Sequence, residues 1–214
     1  MIVVVGQGYV GLPLALSIAK KFDFCFGLDK SIQLVTNLNM GLTNSSEFNL
    51  KDLKKVLKLN KYKATERYSV VRQSDVVLFC LPTPISAGKP DLRILKNSLR
   101  VVSRLVKPKT LIILESSVNP GLTRNLRNLF PNNDIAFSPE RIDPLNKKWD
   151  VKNTPKLVAG LTDRARDRAV EFYSKFIDTV IPCSSLEVAE TAKLLENSFR
   201  LINISFINQL SIFC

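Results

Sequence analysis

The chain has 214 residues, of which 45% are hydrophobic and 23% are charged. This composition is typical of a folded protein with a buried core and excludes a disordered or fibrous chain. The net charge of +12 favours anionic ligands, although lysine-rich helix faces usually lie in solvent. The sequence contains no histidine, which removes the most common general base and zinc ligand.

The four cysteines form no C-x-x-C pair, so neither a metal site nor a redox motif is predicted. No stretch approaches the roughly 18 unbroken apolar residues of a membrane-spanning helix. Met1 leads directly into an apolar run rather than a charged leader segment. We therefore expect a soluble, cytoplasmic protein with no membrane or nucleic-acid partner.

The first part of the chain alternates between apolar strands and helices. A β-branched strand over residues 2–5 is followed by a glycine turn and a buried helix from Val10 onward. A second strand over 24–28 and a helix over about 31–40 complete a βαβ unit. The spacing of leucines among lysines over 50–59 predicts an amphipathic helix.

The alternation continues through the middle of the chain. Strands are predicted over 76–81 and 111–115, a helix over 91–106, and a short helix opened by Pro120 and Gly121. Short strands over 135–137, 156–158 and 179–181 and a helix over 162–176 follow. Because the strands are apolar without alternation, we expect a mostly parallel sheet that helices cover on both faces.

The last segment has a different sequence pattern. Ser184 and Glu187 have the spacing of a capping box, and an apolar helical pattern then continues to Cys214 without Gly or Pro. We expect one domain over residues 1–184 and, over 185–214, the start of a connecting helix. Its apolar end requires cover from a following domain or a second subunit.

The segment Gly6-Gln7-Gly8-Tyr9-Val10-Gly11 fits the dinucleotide-binding pattern G-x-G-x-x-G between a strand and a helix. Gly6 permits the tight turn, Gly8 lets the backbone approach a pyrophosphate, and Gly11 lets the helix pack closely. Asp29, 18 residues after Gly11, ends the second strand and is suited to bind ribose hydroxyls. The sequence thus predicts a Rossmann-like α/β fold that binds NAD in preference to NADP, although Lys30 could partly accommodate a phosphate.

Five blocks then resemble the UDP-glucose/GDP-mannose dehydrogenase family of NAD-dependent nucleotide-sugar 6-dehydrogenases. They are Val5 to Pro13, Cys80-Leu81-Pro82-Thr83-Pro84, Glu115-Ser116-Ser117 with Pro120-Gly121, Ser138-Pro139-Glu140-Arg141, and the helix from Ala189 to Asn203. The form of the fourth block, the segment 153–156 and the Glu-Asn-x-x-Arg-x-x-Asn pattern of the helix are most similar to the branch that acts on UDP-N-acetylhexosamines.

The resemblance implies oxidation of a primary alcohol at C6 to a carboxylate in two hydride transfers, with a cysteine thioester between them. The catalytic residues it implies are Lys193, Asn197, Glu140 and Ser117. The implied cofactor-binding residues are Gly6, Gly8, Tyr9, Val10, Gly11, Asp29, Lys30, Thr83 and Ser117. The implied substrate-binding residues are Glu140, Arg141, Lys193, Asn197 and Arg200. Lys193 and Asn197 stand four residues apart, on one helix face, where both can stabilise an alkoxide.

The sequence also departs from the family. The nucleophilic cysteine of the family lies in a G-x-G-G-x-C motif of a second, UDP-binding domain, and these 214 residues contain no such motif. Leu145 replaces the usual glycine after Pro144, and Gln209 the usual glutamate after Asn208. We therefore expect the chain to be inactive alone, and to pair with a second copy through its last helix.

Two other interpretations remain open. One is a hydroxyacid dehydrogenase of the 6-phosphogluconate type, which shares the glycine motif and the Lys and Asn on a helix. The other is a degenerate NAD-binding module or a polyanion-binding protein that uses the net positive charge.

Overall fold

The computed structural model describes residues 1–43, 50–141 and 149–214. Its elements, in chain order, are β1 (Ile2–Val5), α1 (Gly11–Lys21), β2 (Cys25–Leu28), α2 (Ile32–Asn39), α3 (Leu50–Lys58), β3 (Tyr62–Thr65), β4 (Val76–Phe79), β5 (Ile85–Ser86), β6 (Lys89–Pro90), α4 (Arg93–Ser103), β7 (Leu111–Leu114), α5 (Leu122–Asn125), β8 (Asp134–Phe137), β9 (Lys156–Gly160), α6 (Asp163–Ser174), β10 (Val180–Pro182) and α7 (Leu186–Phe213). Short 3₁₀ helices cover Tyr68–Gln73 and Leu126–Asn128.

Eight of these strands form one sheet in the order β10-β9-β8-β7-β4-β1-β2-β3. All neighbours pair in parallel except β8 and β9, which are antiparallel. The chain builds outward from β1 to β3 on one side and from β4 onward on the other. This confirms the predicted Rossmann-like, mostly parallel sheet. Its topological switch point lies between the carboxyl ends of β1 and β4, which is where such sheets bind ligands.

The apolar strands are buried on both faces, as their sequence predicts. In β1, Ile2 and Val4 pack with α1 on one face, whereas Val3 and Val5 pack with α4 and the start of α7 on the other. The same division runs through β4 and β7. Two apolar cores of this kind explain why the strands read as continuous runs of Val, Ile and Leu.

Several features differ from the sequence prediction, among them the short hairpin of β5 and β6, which was not predicted. β3 was not predicted, because Lys63 interrupts its apolar pattern at the sheet edge. The capping box of Ser184 and Glu187 is wrong: α7 is capped by Ser185, whose hydroxyl accepts from the backbone N–H of Val188 at 3.2 Å. Helix α7 therefore begins one residue later than the spacing suggests. Glu187, the second residue of the predicted capping box, pairs instead with Arg124 at 2.6 Å.

Helix α7 begins as part of the domain and ends outside it. Leu186, Ala189 and Glu190 are fully buried, and both Glu190 carboxylate oxygens accept bonds from α5, from Gly121 N at 2.6 Å and Thr123 N at 3.0 Å. From residue 199 onward every side chain of the helix is exposed. None of the helices in the described ranges is both long and apolar enough to cross a membrane.

Candidate functional site

A cavity of about 810 Å³ lies at the switch point, bounded by the loops after β1, β2, β4, β7 and β8 and by one face of α7. It brings together most of the residues that the sequence predicted. The predicted residues in its wall are Gly6, Gly8, Tyr9, Val10, Asp29, Lys30, Thr83, Ser117, Glu140, Lys193, Asn197 and Arg200. Gly11 and Arg141 do not contribute to this wall.

The glycine loop between β1 and α1 has the geometry of a phosphate cradle. Gly6 has a φ of +91°, and a Cβ there would lie 2.6 Å from the carbonyl oxygen of Cys80. A Cβ at Gly11 would lie 1.8 Å from the carbonyl oxygen of Gly6, so this position requires glycine for packing. A Cβ at Gly8 would meet no atom within 4 Å. Gly8 borders the cavity three residues before α1, whose first-turn N–H groups attract phosphate, so the loop fits a dinucleotide.

Asp29 is held rigidly beside this loop. Its two carboxylate oxygens accept bonds from the backbone N–H groups of Gln7 at 2.8 Å and Ser31 at 3.0 Å. Each oxygen keeps a lone pair that can accept from a ribose hydroxyl. The neighbouring Lys30 is exposed and also borders the cavity.

The loops after β4 and β7 are tied to each other. The Ser116 hydroxyl accepts from Leu81 N at 3.0 Å, and the Thr83 hydroxyl donates to the carbonyl oxygen of Ser117 at 2.9 Å. Pro82 and Pro84 stiffen the first of these loops. Thr83 and Ser117 are therefore adjacent at the cavity wall.

Lys193, Asn197 and Glu140 border the cavity from α7 and from the loop after β8, a strand that lies four positions away from β2 in the sheet. Burial lowers the pKa of Lys193, and the nearby cations Arg200 and Arg141 lower it further against the opposing effect of two glutamates. One Glu140 oxygen accepts from Arg141 N at 2.7 Å. A lowered lysine pKa makes the ammonium a stronger proton donor, which suits an oxyanion-stabilising group.

Arg141 lies behind the wall rather than in it. Its guanidinium pairs with Glu196 of α7 at 2.5 Å and donates to the carbonyl oxygen of Pro155 at 3.1 Å. It therefore links the loop after β8 to α7. Of the family departures, Gln209 lies on the exposed part of α7, and Pro144 and Leu145 lie outside the described residues.

Sequence reasoning missed a buried ionic cluster beneath the cavity. Glu115, 2% exposed, pairs with Lys156, 6% exposed, at 2.5 Å between Oε2 and Nζ, and its other oxygen accepts from the Tyr173 hydroxyl. Burial raises the pKa of Glu115 to about 7 although Lys156 opposes the shift. Lys156 also lies 3.7 Å from Glu140 Oε2. A charged residue at the end of an apolar strand was the available signal, but its partner lies 41 residues away.

The glycine cradle, the fixed acidic residue after β2 and the polar groups of α7 define the dinucleotide-binding domain of an oxidoreductase. More narrowly, the chain belongs to the UDP-glucose/GDP-mannose dehydrogenase family, because residues 1–177 match that family's NAD binding domain. Its cofactor is accordingly NAD.

Individual relatives agree with this family. The chain is 30% identical to the UDP-N-acetyl-D-mannosamine dehydrogenase of Pyrococcus horikoshii, over 99% of this chain and 53% of the relative. It is 32% identical to a UDP-N-acetyl-D-glucosamine 6-dehydrogenase of Pseudomonas aeruginosa, over 99% and 52%. The chain thus spans about half the length of the curated relatives it matches.

Solved structures give the same result. The UDP-D-ManNAc dehydrogenase structure from Pyrococcus horikoshii superposes with a TM-score of 0.91, covering 98% of this chain and 53% of that one at 30% identity. A Mycobacterium tuberculosis 3-hydroxyisobutyrate dehydrogenase superposes with a TM-score of 0.65 at 16% identity, over 92% and 58%. The second similarity shows only a common fold, so it gives no support to the hydroxyacid interpretation.

Proposed function

We propose that this chain forms the cofactor-binding part of an NAD-dependent 6-dehydrogenase that oxidises a UDP-N-acetylhexosamine or UDP-glucose to the uronic acid. The observation that carries the proposal is the shared cavity. Gly8 and Asp29 lie in the same cavity wall as Lys193 and Asn197. A cofactor seated on the first pair therefore extends toward the second.

Lys193 and Asn197 are the groups that stabilise the substrate alkoxide. Bound NAD supplies the hydride acceptor. The Lys193 ammonium and the Asn197 carboxamide stand on one face of α7 and donate to the oxygen at C6 as its proton passes to solvent water and the hydride of C6 passes to NAD. Their placement on a helix that Glu190 anchors fixes both donors before the substrate arrives.

Glu140 and Ser117 serve the later, hydrolytic part of the reaction. In this proposal Ser117 holds a water near the reacting carbon, and Glu140 removes the proton of that water as the thioester is hydrolysed. Arg200 is placed to contact the sugar or the diphosphate. A contact of Arg141 with the substrate requires its guanidinium to leave Glu196.

Cofactor binding and uronic acid formation can be tested separately, because only the second requires the cysteine motif of the family. With a UDP-sugar, the purified 214-residue chain is expected to bind NAD yet form no uronic acid, because the second oxidation proceeds through a thioester and these residues lack the family's cysteine motif. Absorbance at 340 nm and mass spectrometry of the sugar check this, with UDP-N-acetylglucosamine, UDP-N-acetylmannosamine and UDP-glucose as substrates. Uronic acid formation would contradict the assignment and would direct attention to Cys214.

We further propose that residues 1–184 form the NAD-binding domain and that residues 185–214 begin a central segment through which two copies associate. Phe206, Leu210 and Phe213 are 60%, 43% and 89% exposed and follow one another at helical spacing. An apolar face of this kind is a typical interface.

Light scattering is therefore expected to show a dimer or larger particle. The triple variant Phe206→Ser, Leu210→Ser, Phe213→Ser is expected to be monomeric at the same concentration, with unchanged NAD affinity. A wild-type chain that stays monomeric would refute the proposed interface.

A further inference from the structure

The side chain of Gln7, the second residue of the glycine motif, is buried beneath the phosphate loop. Its exposed fraction is 1%. The amide nitrogen donates to the carbonyl oxygens of Val4 at 2.8 Å and Gly6 at 3.1 Å. The amide oxygen accepts from the Tyr62 hydroxyl at 2.8 Å. All three bonds lie inside the protein, so the side chain of Gln7 links the loop to β3.

Gly27 makes this link possible. It lies in β2, between β1, which precedes Gln7, and β3, which carries Tyr62, and it pairs with Val4 on one side and Ala64 on the other. A Cβ at Gly27 would lie 2.3 Å from the Tyr62 hydroxyl and 2.5 Å from Gln7 Oε1. Any larger residue would therefore displace one partner, and the Gln7–Tyr62 bond crosses the sheet through the space that glycine leaves.

The same residue also holds Asp29. The Gln7 backbone N–H donates to Asp29 Oδ2 at 2.8 Å. Burial raises the pKa of Tyr62 well above its usual value, so its hydroxyl keeps the proton that it donates. A continuous chain of bonds thus runs from Tyr62 through Gln7 to the carboxylate at the cavity wall.

We propose that Gln7 and Tyr62 are positioning residues for the cofactor: together they hold the peptide after Gly6, and through it the Asp29 carboxylate, in the orientation that accepts NAD and rejects the 2′-phosphate of NADP. Neither side chain borders the cavity in the described part of the chain. The proposal rests on the NAD cofactor of the family and adds two residues: Gln7, at a position that the glycine pattern leaves unspecified, and Tyr62, outside the pattern. A fixed Asp29 carboxylate discriminates between NAD and NADP because it cannot turn away from the 2′-phosphate of NADP, which it repels.

Calorimetric titration with NAD and with NADP tests this role. Tyr62→Phe removes one oxygen and leaves the Gln7 amide oxygen buried without its donor; we expect NAD affinity to fall about threefold to tenfold and the NAD:NADP affinity ratio to narrow. Gln7→Met should have a similar effect. In the double variant the second substitution should add little, because both act through one bond. Asp29→Ala provides the reference for full loss of discrimination.

Asn39 offers a matched control. Its side chain accepts from Ala64 N at 2.9 Å and donates to Ala64 O at 3.0 Å, so it supports β3 without contacting Gln7. Asn39→Ala should lower the unfolding temperature while leaving both affinities unchanged below it. If Tyr62→Phe and Gln7→Met bind both nucleotides within twofold of the wild-type chain, or if Asn39→Ala weakens binding equally, the positioning role is refuted.

The outcomes separate the two assignments. A wild-type chain that binds no NAD overturns the cofactor assignment and this proposal with it. A wild-type chain that binds NAD normally, with unaffected variants, overturns the positioning role alone. Should Gln7→Met fail to fold, the single-atom change Tyr62→Phe decides the question.

Discussion

The Lys156→Met variant is expected to lose about 3 to 5 kcal/mol of unfolding free energy, since removal of one partner strands a buried charge. The Lys156 ammonium makes its closest contact with Glu115 at 2.5 Å and lies 5.2 Å from the centre of the Tyr173 ring. Met preserves most of the volume and removes only the charge. Urea unfolding followed by circular dichroism measures the loss.

Lys152 provides the control, because it belongs to the same segment but is 70% exposed and lies 3.7 Å from Asp178. Lys152→Met should change stability by less than about 1 kcal/mol. The double variant Glu115→Gln, Lys156→Met should recover part of the loss. Equal effects of the two lysine substitutions would show that the buried pair contributes nothing.

The unfolding free energy lost by the Lys156→Met variant should also depend on pH. Burial raises the pKa of Glu115 from 4.5 to about 7, so the folded chain binds a proton that the unfolded chain releases between these values. That contribution to stability is complete below pH 4.5 and disappears as the pH rises through about 7. The Lys156→Met variant should therefore lose less unfolding free energy at pH 5 than at pH 8, where its unpaired Glu115 carboxylate is charged.

The second large effect concerns catalysis. In a chimera that joins residues 1–214 to the remaining part of the Pyrococcus horikoshii relative, Lys193→Met is expected to lower kcat about 100-fold to 1000-fold, the usual effect of removing an oxyanion donor. The KM for NAD should stay constant, because α7, which carries Lys193, packs against β8 and β9, at least four strands from β2 and Asp29.

Asn197→Ala should show the same pattern with a smaller loss. Lys175→Met, a change at the exposed residue that follows α6, serves as the control. If Lys193→Met raised only the KM for the sugar and left kcat intact, Lys193 would bind substrate without stabilising its alkoxide.

The extent to which sequence predicted this molecule follows from the range of the interactions involved. The glycine loop, Asp29 and α7 depend on residues close together in the chain, so motif spacing located them. The Glu115–Lys156 pair and the Gln7–Tyr62 bond join residues 41 and 55 positions apart. The type of a residue does not indicate which distant residue it will contact. β3 escaped prediction for a related reason, since it becomes a strand through its pairing with β2.

Arg141 illustrates the same limit at the site itself. The family block placed it correctly after β8, beside Glu140. Its direction could not be read from the block, because the Glu196 carboxylate that turns it away from the cavity lies 55 residues later on α7.

Calorimetric titration of NAD into the wild-type and Gly8→Ala chains tests the central claim most directly. Because a Cβ at Gly8 would meet no protein atom within 4 Å, the variant should fold with an unchanged unfolding temperature. The same methyl group enters the space at the start of α1 where a pyrophosphate would lie. We expect one NAD per wild-type chain and an affinity about tenfold or more lower for Gly8→Ala, on the scale of a methyl group forced into a packed contact. No binding by the wild-type chain, or equal affinities for the two, would contradict the assignment of this cavity to NAD.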